Sequence, residues 1–135
     1  MTPTQAEALG RRWLAAGGGW RPGMLAHDDS TGREHRINGA MVIPDEWWPD
    51  LRDAATRGAA LDVVRERWGG AVWVQAMICY PLRIGAGIDR NRPVLRWVIG
   101  GLHRSDGERI NGRGPDGFEH EGEAIAAAIL RGEGR

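Results

Sequence analysis

Four histidines are the first residues that could do chemistry. His27 is followed at once by Asp28 and Asp29, His35 lies eight positions further on, and His103 and His120 stand apart. Imidazole and carboxylate together can hold a divalent cation. The metalloprotease pattern, however, sets two histidines four apart on one helix face, and no pair here has that spacing. The single cysteine, Cys79, can form neither an internal disulfide nor a cysteine-based zinc site. The sequence therefore assigns no metal and no cofactor. Ser30 and Ser105 are the only serines, and both stand in turn clusters without a nucleophile elbow. Cys79 sits within an apolar run and reads as a buried structural thiol. The glycine clusters Gly17-Gly18-Gly19 and Gly85-Ala86-Gly87 lack the lysine, the Ser/Thr and the following helix of a phosphate cradle. General acid–base chemistry with Asp, Glu or His stays open, because no spacing forbids it.

Tryptophan and arginine form the less ordinary combination. There are 7 Trp against one Tyr and one Phe, and all 18 basic residues are Arg. A chain without lysine has no Schiff base and no lysine general base, whereas arginine offers a planar fork for carboxylate, phosphate or aromatic partners. Trp13, Trp68 and Trp73 fall at positions that suit a core. Trp20, Trp47 and Trp48 lie in segments punctuated by Pro and Gly, and exposed Trp beside Arg marks contact surfaces. The candidate binding residues are Trp20, Arg21, Trp47, Trp48, Arg83 and Arg96. Equally, Trp47 and Trp48 could form a lid on a small core, and the two readings balance.

Around these residues the chain must build one compact domain over residues 1–135. Its 135 residues are too few for two comfortable cores, and 41% hydrophobic residues suffice for one. Eighteen basic and 18 acidic residues give a net charge of zero, against a nucleic-acid binder and against an acidic mimic of DNA. No secretory signal stands at the N-terminus and no apolar run approaches a membrane span. A cytoplasmic protein with no membrane partner is expected. A homo-oligomer remains open.

Thr4-Gln5-Ala6-Glu7 has the spacing of a capping box, so a helix is expected over about 5–16, ended by the three glycines. Asn38-Gly39 is a strong hairpin signal, and Arg33–Ile37 with Ala40–Ile43 should flank it in a meander over 24–43. Residues 45–48, between Pro44 and Pro49, read as an irregular surface segment. Asp53 can cap a helix over Ala54–Trp68 with Ala60, Leu61, Val64 and Trp68 inward and Gly69 as its stop. Ala71–Tyr80 is apolar on both faces and reads as a central strand. A loop over 81–93 leads to a strand at Val94–Gly100, then a hairpin turn at Ser105-Asp106-Gly107 with a return strand at Glu108–Asn111. A helix from Glu119 to about Arg131 closes the chain with Ile125, Ala128 and Ile129 buried. The order predicts an α+β fold, with an antiparallel sheet of about four to six strands packed with three helices.

Two blocks carry a resemblance. Trp20-Arg21-Pro22-Gly23-Met24 and Pro49-Asp50-Leu51-Arg52-Asp53-Ala54-Ala55-Thr56-Arg57-Gly58, with the helix after them and a Glu/Ala-rich C-terminal helix, resemble a group of short, uncharacterised phage and prophage proteins from GC-rich bacteria. The likeness covers roughly residues 13–74 and 118–130. It implies a phage or mobile-element origin and carries over no catalytic residue. It also implies an accessory protein that works by binding, blunting a host defence by holding an effector protein or a signalling nucleotide. The partner expected on this reading is a host protein or a small anionic ligand, with no enzymatic step. The alternatives are a small hydrolase or nuclease with carboxylate/His chemistry at His27, Asp28, Asp29 or His35, and a virion assembly protein.

Overall fold

The structure, a computed structural model, describes residues 1–80, 82–83, 85, 87–88, 91–103, 109–110 and 117–130. In chain order the elements are α1 (Pro3–Ala15), β1 (Leu25–Asp28), β2 (Arg33–Arg36), β3 (Trp48–Pro49), α2 (Ala54–Trp68), β4 (Trp73–Cys79), β5 (Leu82–Arg83), β6 (Gly87–Ile88), β7 (Val94–Gly100), β8 (Leu102–His103), β9 (Arg109–Ile110) and α3 (Glu121–Leu130). The class is α+β, as expected, with three helices among the described residues. The single sheet of four to six strands is not found: among the described residues the largest sheet has three strands, in the order β2-β1-β3, and β4-β7, β5-β6 and β8-β9 are separate pairs.

Local signals explain the helices. Pro3, whose fixed φ suits the first turn, starts α1 two residues earlier than expected. The capping box is accordingly Thr2 with Gln5 rather than Thr4 with Glu7: the Gln5 amide donates to the Thr2 hydroxyl, and the Thr2 amide donates to the Gln5 side chain. Asp53 caps α2 as expected, accepting from the Thr56 amide at 2.9 Å. Gly69 ends α2 at a φ of 100°. α3 departs from the expectation of one buried stripe, because Gly122 and every residue from Ala124 to Ile129 are buried. A helix apolar all round must be covered all round, and α3 packs on α1, on α2 and on the β4–β7 pair. It is the centre of the molecule, and its alanines and glycine let the neighbours come close.

Asn38-Gly39 does not make the expected hairpin. The β1–β2 turn is instead built on Asp28, whose carboxylate accepts from the Ser30 amide, the Ser30 hydroxyl and the Thr31 hydroxyl. Its carbonyl accepts from the Gly32 amide at 2.8 Å. With β2 already paired to β1 before residue 38, Asn38 forms only a local turn with the Ala40 amide, and residues 40–43 are not a strand. The chain then returns along the other edge of β1 as β3. Gly10 allows α1 to approach β3: a Cβ there would lie 2.3 Å from the Pro49 carbonyl oxygen.

The expected strand at Val94–Gly100 is present, and β4 runs antiparallel to it from Trp73↔Gly100 to Cys79↔Val94. β4 is not a central strand, however: among the described residues only β7 pairs with it. β8 and β9 pair across the expected turn at Ser105-Asp106-Gly107, which lies outside the described residues, as do the loop over 112–116 and the helix end at Arg131. No helix among the described residues is long and apolar enough to cross a membrane.

Candidate functional site

Strand register sorts the chemical residues of the small sheet onto two faces. His27 stands opposite Glu34 on one side and Trp48 on the other, while Ala26 stands between His35 and Pro49. Successive side chains of a strand point to opposite faces. His27 and His35 therefore face away from each other and cannot share one ion. Among the described residues no group of three His, Cys, Asp or Glu side chains could hold a metal. Asp28 is committed to its turn, whose hydrogen bonds, with the Ser30 hydroxyl foremost, lower its carboxyl below the usual carboxylate range.

On the outer face His27 Nε2 lies 2.7 Å from Asp50 Oδ2, and the ring stacks on Trp48 with centroids 4.4 Å apart. Arg52 grips the same carboxylate, with Nε at 2.9 Å from Oδ1 and Nη2 at 2.8 Å from Oδ2, and its amide adds a third bond to Oδ1. Burial of Asp50 disfavours its charge, but these bonds from Arg52 and the one from His27 prevail and hold its pKa at about 2. Trp48 Nε1 donates to Asp29, which Arg11 of α1 also approaches at 3.4 Å. Glu7 lies beside Asp29; that carboxylate pushes the Glu7 carboxyl up, while Asp29 itself is held low by bonds from Glu7 and Trp48. The whole arrangement ties α1, β1, β3 and the turn before α2 together. An oriented His–Asp pair can move a proton. Here the hydroxyl nearest in sequence, that of Ser30, is turned to Asp28.

The predicted binding residues separate. Trp47 is buried in the core and stacks on His35 at 4.2 Å, and Trp48 is buried on the opposite face of β3. Of the two balanced readings of the Trp pair, the burial of both side chains favours the lid on the core over the exposed contact surface, and the segment is not an irregular surface stretch. Adjacent residues entering a strand point to opposite sides, so one Trp fills the core while the other lies between α1 and His27. Trp20 packs against the core. Arg21 is paired with Glu66 of α2. Arg96 lies on β7 with Nη1 donating to the Leu95 carbonyl. The side chain of Arg83 lies outside the described residues. Among the core tryptophans, Trp13 and Trp68 are buried as expected, but Trp73 is 40% exposed.

Two cavities border the start of α3. One, of about 230 Å³, is lined by Gln5, Leu9, Arg12, Glu119, His120 and Glu123. The other, of about 280 Å³, includes Leu51, Arg52, Arg57, Trp97 and Glu121. The arginines of the second are already engaged: Arg52 holds Asp50, and Arg57 Nε donates to Glu121 at 3.1 Å.

An exposed apolar cluster that sequence reasoning did not single out lies on the β4–β7 pair. One face begins at the core with Val74 opposite Ile99, and Trp97, opposite Ala76, packs against it as well. Two residues further along, Ile78 stands directly opposite Leu95, and the two are 58% and 53% exposed. Tyr80, next in the same alternation, is exposed as well. Single exposed apolar side chains are ordinary, whereas adjoining ones mark contact sites. The signal was in the sequence: an apolar run of strand length with arginines beyond its end. The same run fits a central strand equally well.

Comparison of the chain with protein-family models, with curated proteins and with solved structures finds no match.

Proposed function

We propose that the protein acts by binding another protein through the outer end of the β4–β7 pair, as a phage or prophage accessory protein directed at a host defence. The observation that carries this reading is the exposed cluster of Ile78, Leu95 and Tyr80 on a face whose other half is core. An apolar face that continues beyond its own core gains by burial against a partner, at about 25 cal/mol per Å². The phage setting rests on the resemblance of residues 13–74 and 118–130. The site differs from the Trp/Arg surface expected from sequence, because Trp47 and Trp48 are consumed by the core.

An acid–base enzyme has the His27–Asp50 contact in its favour. That contact has a sufficient structural role, since Asp50 also holds Arg52 and the His27 ring lies against Trp48. The binding reading is tested with the double variant Ile78→Ser/Leu95→Ser. It should keep its circular dichroism, melt within a few degrees of the parent chain, and lose the proteins that the parent chain retains from a host lysate. A folded variant that retains the same proteins would exclude this face as the contact.

A further inference from the structure

We infer that Asn38 is a modification site: water converts its side-chain amide to a carboxylate, through attack of the Gly39 backbone nitrogen and without an enzyme. Asn38-Gly39 has the composition of a hairpin turn and closes no hairpin in the fold, so strand pairing does not hold it. Both residues are exposed in the connection between β2 and β3. The Gly39 amide donates to no acceptor among the described residues, which leaves its nitrogen open to react. Glycine also has no Cβ to crowd the attack or to narrow the backbone angles that bring nitrogen and side chain together. Asn38 Oδ1, meanwhile, accepts from the Ala40 amide at 3.0 Å. That bond draws electrons from Cγ and stands where negative charge develops when Cγ is attacked. A free nucleophile and an activated carbonyl carbon thus adjoin.

The reaction balances with water alone. The Gly39 nitrogen gives its proton to hydroxide and bonds to Asn38 Cγ, leaving the charge on Oδ1. Collapse of this intermediate breaks the bond from Cγ to the side-chain nitrogen, which takes a proton from water and leaves as ammonia. Water then opens the five-membered imide at either carbonyl. Opening at Cγ gives aspartate at position 38. Opening at the main-chain carbonyl gives the isoaspartyl form, in which the chain runs through the side chain. Either product adds a negative charge to a chain whose net charge is zero. The isoaspartyl form also inserts a backbone carbon shortly before Met41 and Ile43, which pack against the core. Asn91 is the comparison among the described residues, because Arg92 follows it and carries the side chain that Gly39 lacks. Asn111-Gly112 repeats the reactive pair outside the described residues.

Peptide mapping by mass spectrometry tests this inference on the complete, folded chain, incubated at neutral and at mildly alkaline pH. The peptide holding residue 38 should exchange amide for acid and give two products of equal mass that separate by chromatography. Both should form faster at the higher pH, because the Gly39 amide must lose its proton. The Asn91 peptide should react about tenfold more slowly or worse. Gly39→Ala should slow the reaction at Asn38 to a similar degree and leave the melting temperature near that of the parent, since a Cβ there meets nothing within 4 Å. Denaturant, which speeds any reaction that a fold suppresses, should not accelerate this one. An amide retained at residue 38 in the folded chain, or a rate that rises in denaturant, would overturn the inference. So would equal rates at Asn38 and Asn91, or an undiminished rate in Gly39→Ala.

Discussion

Residues 1–70 and the β4–β7 pair treat their large apolar side chains in opposite ways. In the first region Trp13, Met24, Ile37, Trp47, Leu51 and Val64 are buried, and the polar groups among them are matched: Trp13 Nε1 donates to the Gly19 carbonyl and the Thr56 hydroxyl accepts from the Leu25 amide. Asp50, though buried, is held by Arg52 and His27. In the second region one half of a strand face joins the core, and the other half leaves Ile78, Leu95 and Tyr80 in solvent, without a charge on β4. On the proposed reading, the contrast separates residues that hold the fold from residues left for contact. A substitution in the first region should act on folding, and one in the second on binding.

The largest effect should come from Trp13→Ala. The ring is fully buried, and Gly18 closes over it so tightly that a Cβ there would lie 2.2 Å from the indole. Loss of about 4 kcal/mol is expected in denaturant unfolding, from lost transfer energy plus the cavity left behind. Asp50→Ala comes next, at about 3 kcal/mol, because it strips the partner from Arg52 and His27 in a mostly buried setting. The parent chain should show the same contact in acid. Asp50 is held at about 2 against a usual 3.8, so the fold favours its charged form. Its contribution is complete above about pH 4 and disappears as the pH falls through 2, costing about 2 kcal/mol in all; Asp50→Ala should flatten this part of the stability–pH curve. The smallest change in stability belongs to Ile78→Ser/Leu95→Ser, about 1 kcal/mol or less, since both side chains are already mostly in water. A large destabilisation by that pair, or a small one by Trp13→Ala, would erase the distinction between the two regions.

Sequence read well where local chemistry decides structure. Asp53 as a cap, Ala54–Trp68 as a helix, Gly69 as its stop and Val94–Gly100 as a strand all stand as expected. It read poorly where pairing between distant segments decides. The Asn38-Gly39 turn follows a strand that has already found its partner through the Asp28 turn, so a sound local signal has no hairpin to close. Trp47 and Trp48, bracketed by prolines, resemble a surface loop. Their burial depends on β3 pairing with β1 and on the closeness of α1 at Gly10, neither of which is visible locally. β4 shows the converse. An apolar run on both faces suits a central strand, and it suits equally an edge strand that another chain completes. Of the candidate residues, Trp47 and Trp48 stand in the core, and Arg96 alone is described on the β4–β7 pair.

The central assignment, that contact is made by the ribbon and not by the body, is tested most directly by site-specific photo-crosslinking in host lysate. A photoreactive phenylalanine analogue placed at Leu95 samples the exposed ribbon face, and one placed at Val42, 94% exposed in the body, samples an apolar position outside it. Crosslinking to a discrete protein from position 95, suppressed by excess unlabelled parent chain and absent from position 42, is the predicted result. Crosslinking to the same discrete protein from position 42 alone, with position 95 silent, would contradict the account.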